Sequence, residues 1–148
     1  PSSPPAVLFP HAANVGTVAA RPGGGAVTAD PTGGVRVWDA AGGQSVGRFT
    51  VRPHDPGAAR PQAVAGDGAP ALAVSPNGET LAVGTGGGEV VLWDLAKRAE
   101  RGRLAAHTGN VAALAFHPHD GRLATAGADG LVRVWGADQQ KPARTLAG

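Results

Sequence analysis

Two of the three tryptophans, Trp93 and Trp135, stand 42 residues apart, and this spacing constrains the fold more than any other feature. Shifting the chain by that amount lays SPNGETLAVGTGGGEVVLW on HPHDGRLATAGADGLVRVW without a gap. Pro76 then falls on Pro118, Leu81 on Leu123, Ala82 on Ala124 and Val90 on Val132. A period of this size marks a supersecondary unit that buries its apolar face only by stacking on a neighbour. The 24 Gly and 13 Pro recur between short Val, Leu and Ala runs. Many short strands joined by Gly/Pro turns imply an all-β chain.

A looser copy precedes these two. Residues 7–38 overlay 103–135 with one residue deleted in the turn at Gly23, Gly24 and Gly25. Trp38 and Trp93 are 55 residues apart, so about 13 residues are inserted relative to the period. They fall in a Pro-, Gly- and Asp-rich stretch that reads as a protruding loop. The expected organisation is a linker at 1–5 and a first repeat at 6–50, then an inserted loop at 51–68, a second repeat at 69–102, a third at 103–142 and a final outer strand at 143–148. Each unit holds four strands, in the third at 103–105, 111–116, 123–126 and 131–135. VAALAF and EVVLW are almost wholly apolar, which predicts strands covered on both faces. Residues 94–106, DLAKRAERGRLAA, hold good helix formers. Gly102 interrupts them, and the matching stretch after Asp39 is not helical in character, so no helix is expected.

The third unit resembles a WD40 repeat. The resemblance rests on His107, the apolar run 111–116, Pro118, Asp120-Gly121, Leu123-Ala124-Thr125, Asp129-Gly130 and Val132-Arg133-Val134-Trp135. Trp38-Asp39 and Trp93-Asp94 carry the Trp-Asp dipeptide, whereas Trp135 is followed by Gly136. The resemblance implies β-propeller blades, about three four-stranded antiparallel sheets in a partial or self-assembling propeller. It also implies a structural hydrogen-bonded chain of His107, Thr125, Asp129 and Trp135. The first unit keeps His11, Thr28 and Trp38 but has Thr32 in the Asp position, with Asp30 two residues early. The second keeps Trp93, with Ala65, Val83 and Gly87 in the other places. The second blade is therefore expected to be the least rigid. Propellers typically have four to eight blades. Three imply either a segment of a longer array or closure by self-association.

The implied role is a non-catalytic protein-interaction scaffold. The alternatives are an accessory region of a larger enzyme or signalling protein, or a self-associating ligand-binding propeller. Expected partners are other proteins or further blades, with a homo-oligomer if the chain stands alone. Candidate partner-binding residues are Asn14 and Asn110 in turns, and Arg52, His54 and Arg60 in the inserted loop. Net charge is +2 with no run of five or more like charges, which argues against nucleic acid. No apolar run approaches a membrane span.

The absence of Cys removes disulfides and thiol metal sites, and the absence of Met suggests processing or a longer parent chain. His117-Pro-His119-Asp120 reads as an exposed turn and not as a metal site. The Gly-rich stretch 84–89 lacks the Lys-Ser/Thr of a phosphate loop and reads as a hairpin turn. His107, Thr125 and Asp129 imitate a catalytic triad in composition, yet no nucleophile motif accompanies them. No cofactor and no metal are expected. The Ala/Gly/Arg-rich, Lys-poor composition suggests a high-GC bacterial source.

Overall fold

The computed structural model describes residues 15–31, 33–39, 41, 45–50, 70–136 and 142–147. The linker, the inserted loop, His11, Asn14 and Thr32 lie outside them. The described residues form strands and turns only, in three separate four-stranded antiparallel sheets. Blade 1 contains β1 (Thr17–Ala20), β2 (Ala26–Ala29), β3 (Gly34–Trp38) and β4 (Ser45–Thr50). Blade 2 contains β5 (Leu72–Val74), β6 (Thr80–Gly84), β7 (Glu89–Asp94) and β8 (Ala99–Ala105). Blade 3 contains β9 (Val111–Phe116), β10 (Leu123–Gly127), β11 (Leu131–Trp135) and β12 (Pro142–Ala147). In each blade the strands follow one another in space as in sequence.

The stretch 94–106 is a tight turn followed by β8, so propensity yields to pairing with β7. The sequence repeat and the blade are offset by one strand. The 103–105 segment expected to open the third unit is the end of β8 and pairs with β7 of blade 2. An outer strand hydrogen-bonds to the Trp strand before it, because a short turn reaches that edge first. The pairing of each Trp strand with its outer strand shifts register once, at Val37/Trp38, Leu92/Trp93 and Val134/Trp135, and the β9–β10 pairing shifts at Ala126/Gly127.

Two apolar layers join the blades. Val27, Ala29, Val35 and Val37 of blade 1 meet Leu81, Val83 and Val91 of blade 2, with Leu72, Val74, Trp93 and Leu95 packed alongside. The alternate residues of blade 2, Ala82, Val90, Leu92 and Leu104, meet Val111, Leu123 and Trp135 of blade 3. Strand alternation sends successive side chains of β6 and β7 to opposite neighbours, so both faces are covered.

EVVLW fits the expectation of two covered faces, but VAALAF does not. Ala112, Ala113 and Ala115 are exposed, because among the described residues no further blade lies on that side of blade 3. Its outward face repeats the face that blade 2 turns to blade 3. Val132 occupies the place of Val90 and is 37% exposed where Val90 is fully buried. Leu146, the counterpart of Leu104, is 46% exposed. Val18 on the outward face of blade 1 is 66% exposed. The second blade, expected to be the least rigid, is the most buried of the three. Burial from two neighbours replaces the polar network it lacks.

Candidate functional site

The conspicuous polar residues of the third unit meet at the junction of blades 2 and 3. Thr125 comes from the middle of β10, Trp135 ends β11, Asp129 sits in the turn between them and His107 lies just before β9. The Trp135 indole N–H donates to Thr125 Oγ1 at 3.1 Å. Thr125 Oγ1 lies 2.9 Å from His107 Nε2, and His107 Nδ1 lies 2.9 Å from Asp129 Oδ1. The His107 side chain is wholly enclosed.

One proton arrangement satisfies every member. The indole donates to Thr125, the Thr125 hydroxyl donates to Nε2, and Nδ1–H donates to the carboxylate, which fixes the tautomer. Arg133 Nη1 also approaches Nδ1 at 2.9 Å, but both groups are then donors. Its bond is the one to Asp129 Oδ2 at 3.0 Å. The remaining carboxylate capacity accepts the Leu131 N–H at 3.1 Å. The chemistry available here is structural. Both imidazole nitrogens are committed, and the hydroxyl that would serve as a nucleophile is itself tied to the ring and the indole.

Burial opposes ionisation of Asp129, but Arg133, His107 and the Leu131 and Thr108 N–H groups outweigh it. Together they hold the carboxyl well below the usual carboxylate range. A depressed folded-state value contributes stability above the unfolded value of about 4 and loses it as pH falls through the folded value. The melting temperatures of the wild-type chain and Asp129→Asn are therefore expected to differ most near neutrality. They should converge as pH drops from about 5 to about 2. A gap that widens on acidification would contradict this role for the carboxylate.

The other blades use different parts for the same ends. In blade 1 the Trp38 indole donates to Thr28 Oγ1 at 2.7 Å. In blade 2 the matching position is Val83, which has no oxygen to accept, and Trp93 packs in the layer shared with blade 1. The tight turn before each Trp strand is also capped in every blade. Asp30 Oδ1 accepts the Gly34 N–H, Thr85 Oγ1 accepts the Glu89 N–H, and Asp129 Oδ1 accepts the Leu131 N–H. Asp30 is 2% exposed. Its early position, two residues before the expected Asp, is a functional cap, shared with Thr85 at the equivalent place. Sequence reading missed both caps. Their signal was a short polar residue four places before the N–H that needs an acceptor.

The Gly-rich turn of blade 2 does more than reverse the chain. The Gly88 carbonyl accepts the N–H groups of both Ala106 and His107, at 3.0 and 2.9 Å, and Thr85 O accepts the Val111 N–H at 3.0 Å. This turn is the seat on which blade 3 begins. Asn110 is exposed, and its carbonyl accepts the Ala128 N–H at 2.9 Å. Asn14, Arg52, His54 and Arg60 lie outside the described residues. His117 Nδ1 lies 2.9 Å from Asp120 Oδ1 in an exposed turn, and hydrogen bonds from Arg122 hold the Asp120 carboxyl down to about 2. Among the described residues no three His, Cys, Asp or Glu side chains cluster as metal ligands, and no helix is long and apolar enough to cross a membrane.

Comparison with known proteins agrees with this geometry. Residues 66–94 and 99–136 match the family model for the WD domain, G-beta repeat. The pre-mRNA-processing factor 19 homolog 2 of Arabidopsis thaliana is 40% identical over 65 residues, 44% of this chain and 12% of that protein. The human cilia- and flagella-associated protein 52 is 40% identical over 77 residues, 47% of this chain and 12% of that protein. Among solved structures, the WD40 repeats of RRP9 superpose with a TM-score of 0.78 at 20% identity, over 95% of this chain and 40% of that one. The structure of U3-55K gives 0.77 at 19%, over 95% and 41%. The chain thus spans about an eighth of these curated relatives and two fifths of the solved domains. The relatives matched are eukaryotic, so they lend no support to a bacterial source. Residues 66–94 and 99–136 are thus WD40 repeats, and the three sheets have the form of propeller blades in an open, partial ring.

Proposed function

We propose that this chain is a three-blade part of a non-catalytic protein-interaction scaffold. The observation that carries the reading is the commitment of His107, Thr125 and Asp129 to one another and to Trp135. The side chains most suggestive of chemistry hold a blade together, and the exposed turns remain for recognition. Asn110 on such a turn, and Asn14, Arg52, His54 and Arg60 beyond the described residues, are the proposed contacts. Removing residues 15–147 from the complete polypeptide is expected to lose protein partners on affinity purification. An unchanged partner set would overturn the reading.

The open faces of the end blades support a second element. Val132 and Leu146 sit where Val90 and Leu104 are buried by a neighbour, and such faces drive association. Further blades, from the same polypeptide or a second copy, cover them. For the 148-residue chain alone, light scattering is expected to give at least twice the 14.6 kDa chain mass. A folded monomer at micromolar concentration would remove this element.

A further inference from the structure

The two ends of the stack are unlike, and each reproduces one side of a junction already made within the chain. The side that blade 2 turns to blade 3 carries Ala82, Val90, Leu92 and Leu104, all buried. The residues 42 places later, Ala124, Val132, Val134 and Leu146, lie on the outward face of blade 3. Their pairing repeats too. Val90 opposes Leu104 and Ala82 opposes Leu92, as Val132 opposes Leu146 and Ala124 opposes Val134.

The outward face of blade 1 reproduces the other side of that junction. Leu114 pairs with the residue ten before Trp135 and packs into the layer between blades 2 and 3. Leu72 pairs with the residue ten before Trp93 and packs into the layer between blades 1 and 2. Val18 pairs with the residue ten before Trp38, so it takes the same place on its sheet, yet it is 66% exposed. Val15 stands three residues before Val18, as Val111 stands three before Leu114. Val111 is buried and Val15 is 53% exposed.

Unlike faces fit better than like ones. Two copies of the blade 3 face would set Ala113, Ala124 and Ala126 against themselves, with no large side chain to enter the space. Val15 and Val18 supply such side chains. The fit falls short of the 2–3 junction, because Ala26 pairs with Trp38 where Leu81 and Leu123 pair with Trp93 and Trp135. Arg48 and Arg144 are exposed on the outer strands of the two faces. Joined blades leave room there: a cleft of about 400 Å³, with Val37, Gly47 and Leu95 in its lining, opens between blades 1 and 2. Solvent in such a cleft screens the like charges.

We propose that the outward face of blade 3 binds the outward face of blade 1 of a second copy of this chain, head to tail. Such a contact is heterologous, and its repetition closes a ring or extends a row of copies. The proposal rests on the association element of the scaffold reading and names the two faces that meet. Sedimentation velocity of the 148-residue chain tests it. V18D and V132D each put a carboxylate on one exposed face and leave the other face intact. Each variant alone is expected to be monomeric with an unchanged melt. Their equimolar mixture is expected to form a complex of two chains that grows no further, because V18D keeps its blade 3 face and V132D its blade 1 face. V18L/A26L, which fills the blade 1 face, is expected to associate at least tenfold more tightly than the wild-type chain. Wild-type association by V18D alone or by V132D alone, a mixture that stays monomeric, or no gain from V18L/A26L would each overturn the proposal. A monomeric wild-type chain removes the association element together with it. A wild-type chain that associates as V18D does leaves that element standing and removes only the head-to-tail pairing.

Discussion

Gly88→Ala is expected to destabilise the chain by about 4 kcal/mol or more. Gly88 has φ of +90°, where an added Cβ is disfavoured by about 1–2 kcal/mol. The larger cost is steric. The new methyl would overlap the carbonyl carbon and oxygen of His107 and approach the Gly109 carbonyl oxygen. These are backbone atoms and cannot swing aside. The collision also prises apart the bonds from the Ala106 and His107 N–H groups to the Gly88 carbonyl. Blade 3 would lose its seat on blade 2. Gly130 is the matched control, at the equivalent turn position of blade 3. Its φ is +77° and an added Cβ meets nothing within 4 Å. Gly130→Ala should therefore cost only about 1 kcal/mol. Urea titrations followed by circular dichroism would compare the two, and equal losses would contradict the seating role of Gly88.

Thr125→Val is expected to cost about 2–4 kcal/mol, although the two side chains have nearly the same shape. The hydroxyl serves two buried groups. It accepts from the Trp135 indole at 3.1 Å and stands 2.9 Å from His107 Nε2. Valine leaves the indole without its acceptor and the imidazole without its donor, in a site where Thr125 is 1% exposed. Water cannot replace the lost bonds without opening the blade junction. Thr108→Val, at an exposed threonine one residue after His107, should stay within about 0.5 kcal/mol. The two variants are separated by thermal melts read through tryptophan fluorescence. Similar melting temperatures would mean that the network contributes little to holding blade 3.

The residues of this network could be named from the chain alone because the resemblance of the third unit to a WD40 repeat implies them, position by position. Thr125 is ten residues before Trp135, as Thr28 is ten before Trp38, and both indoles donate to those hydroxyls. Pairing in antiparallel hairpins brings such positions side by side whenever the turn length is kept. The caps at Asp30 and Thr85 were less visible, because they stand two residues away from the place taken by Asp129. The cleft between blades 1 and 2 was not legible at all. Val37 and Leu95 lie on separate hairpins of two blades, and only stacking brings them together.

The sequence by itself determined the strands, the turns and the side on which each residue points, since those follow from local chain geometry and a repeat of constant length. Even 94–106, rich in helix formers, was legible as non-helical by its place in the repeat. Tertiary structure alone decided burial. VAALAF and EVVLW read alike, yet one lies on an end blade and is largely exposed, while the other lies between two blades and is largely covered. The blade with the poorest polar network became the most enclosed for the same reason. Alternation tells which two faces a strand has. How many neighbours cover them depends on the order of blades in the stack, and no single strand encodes that order.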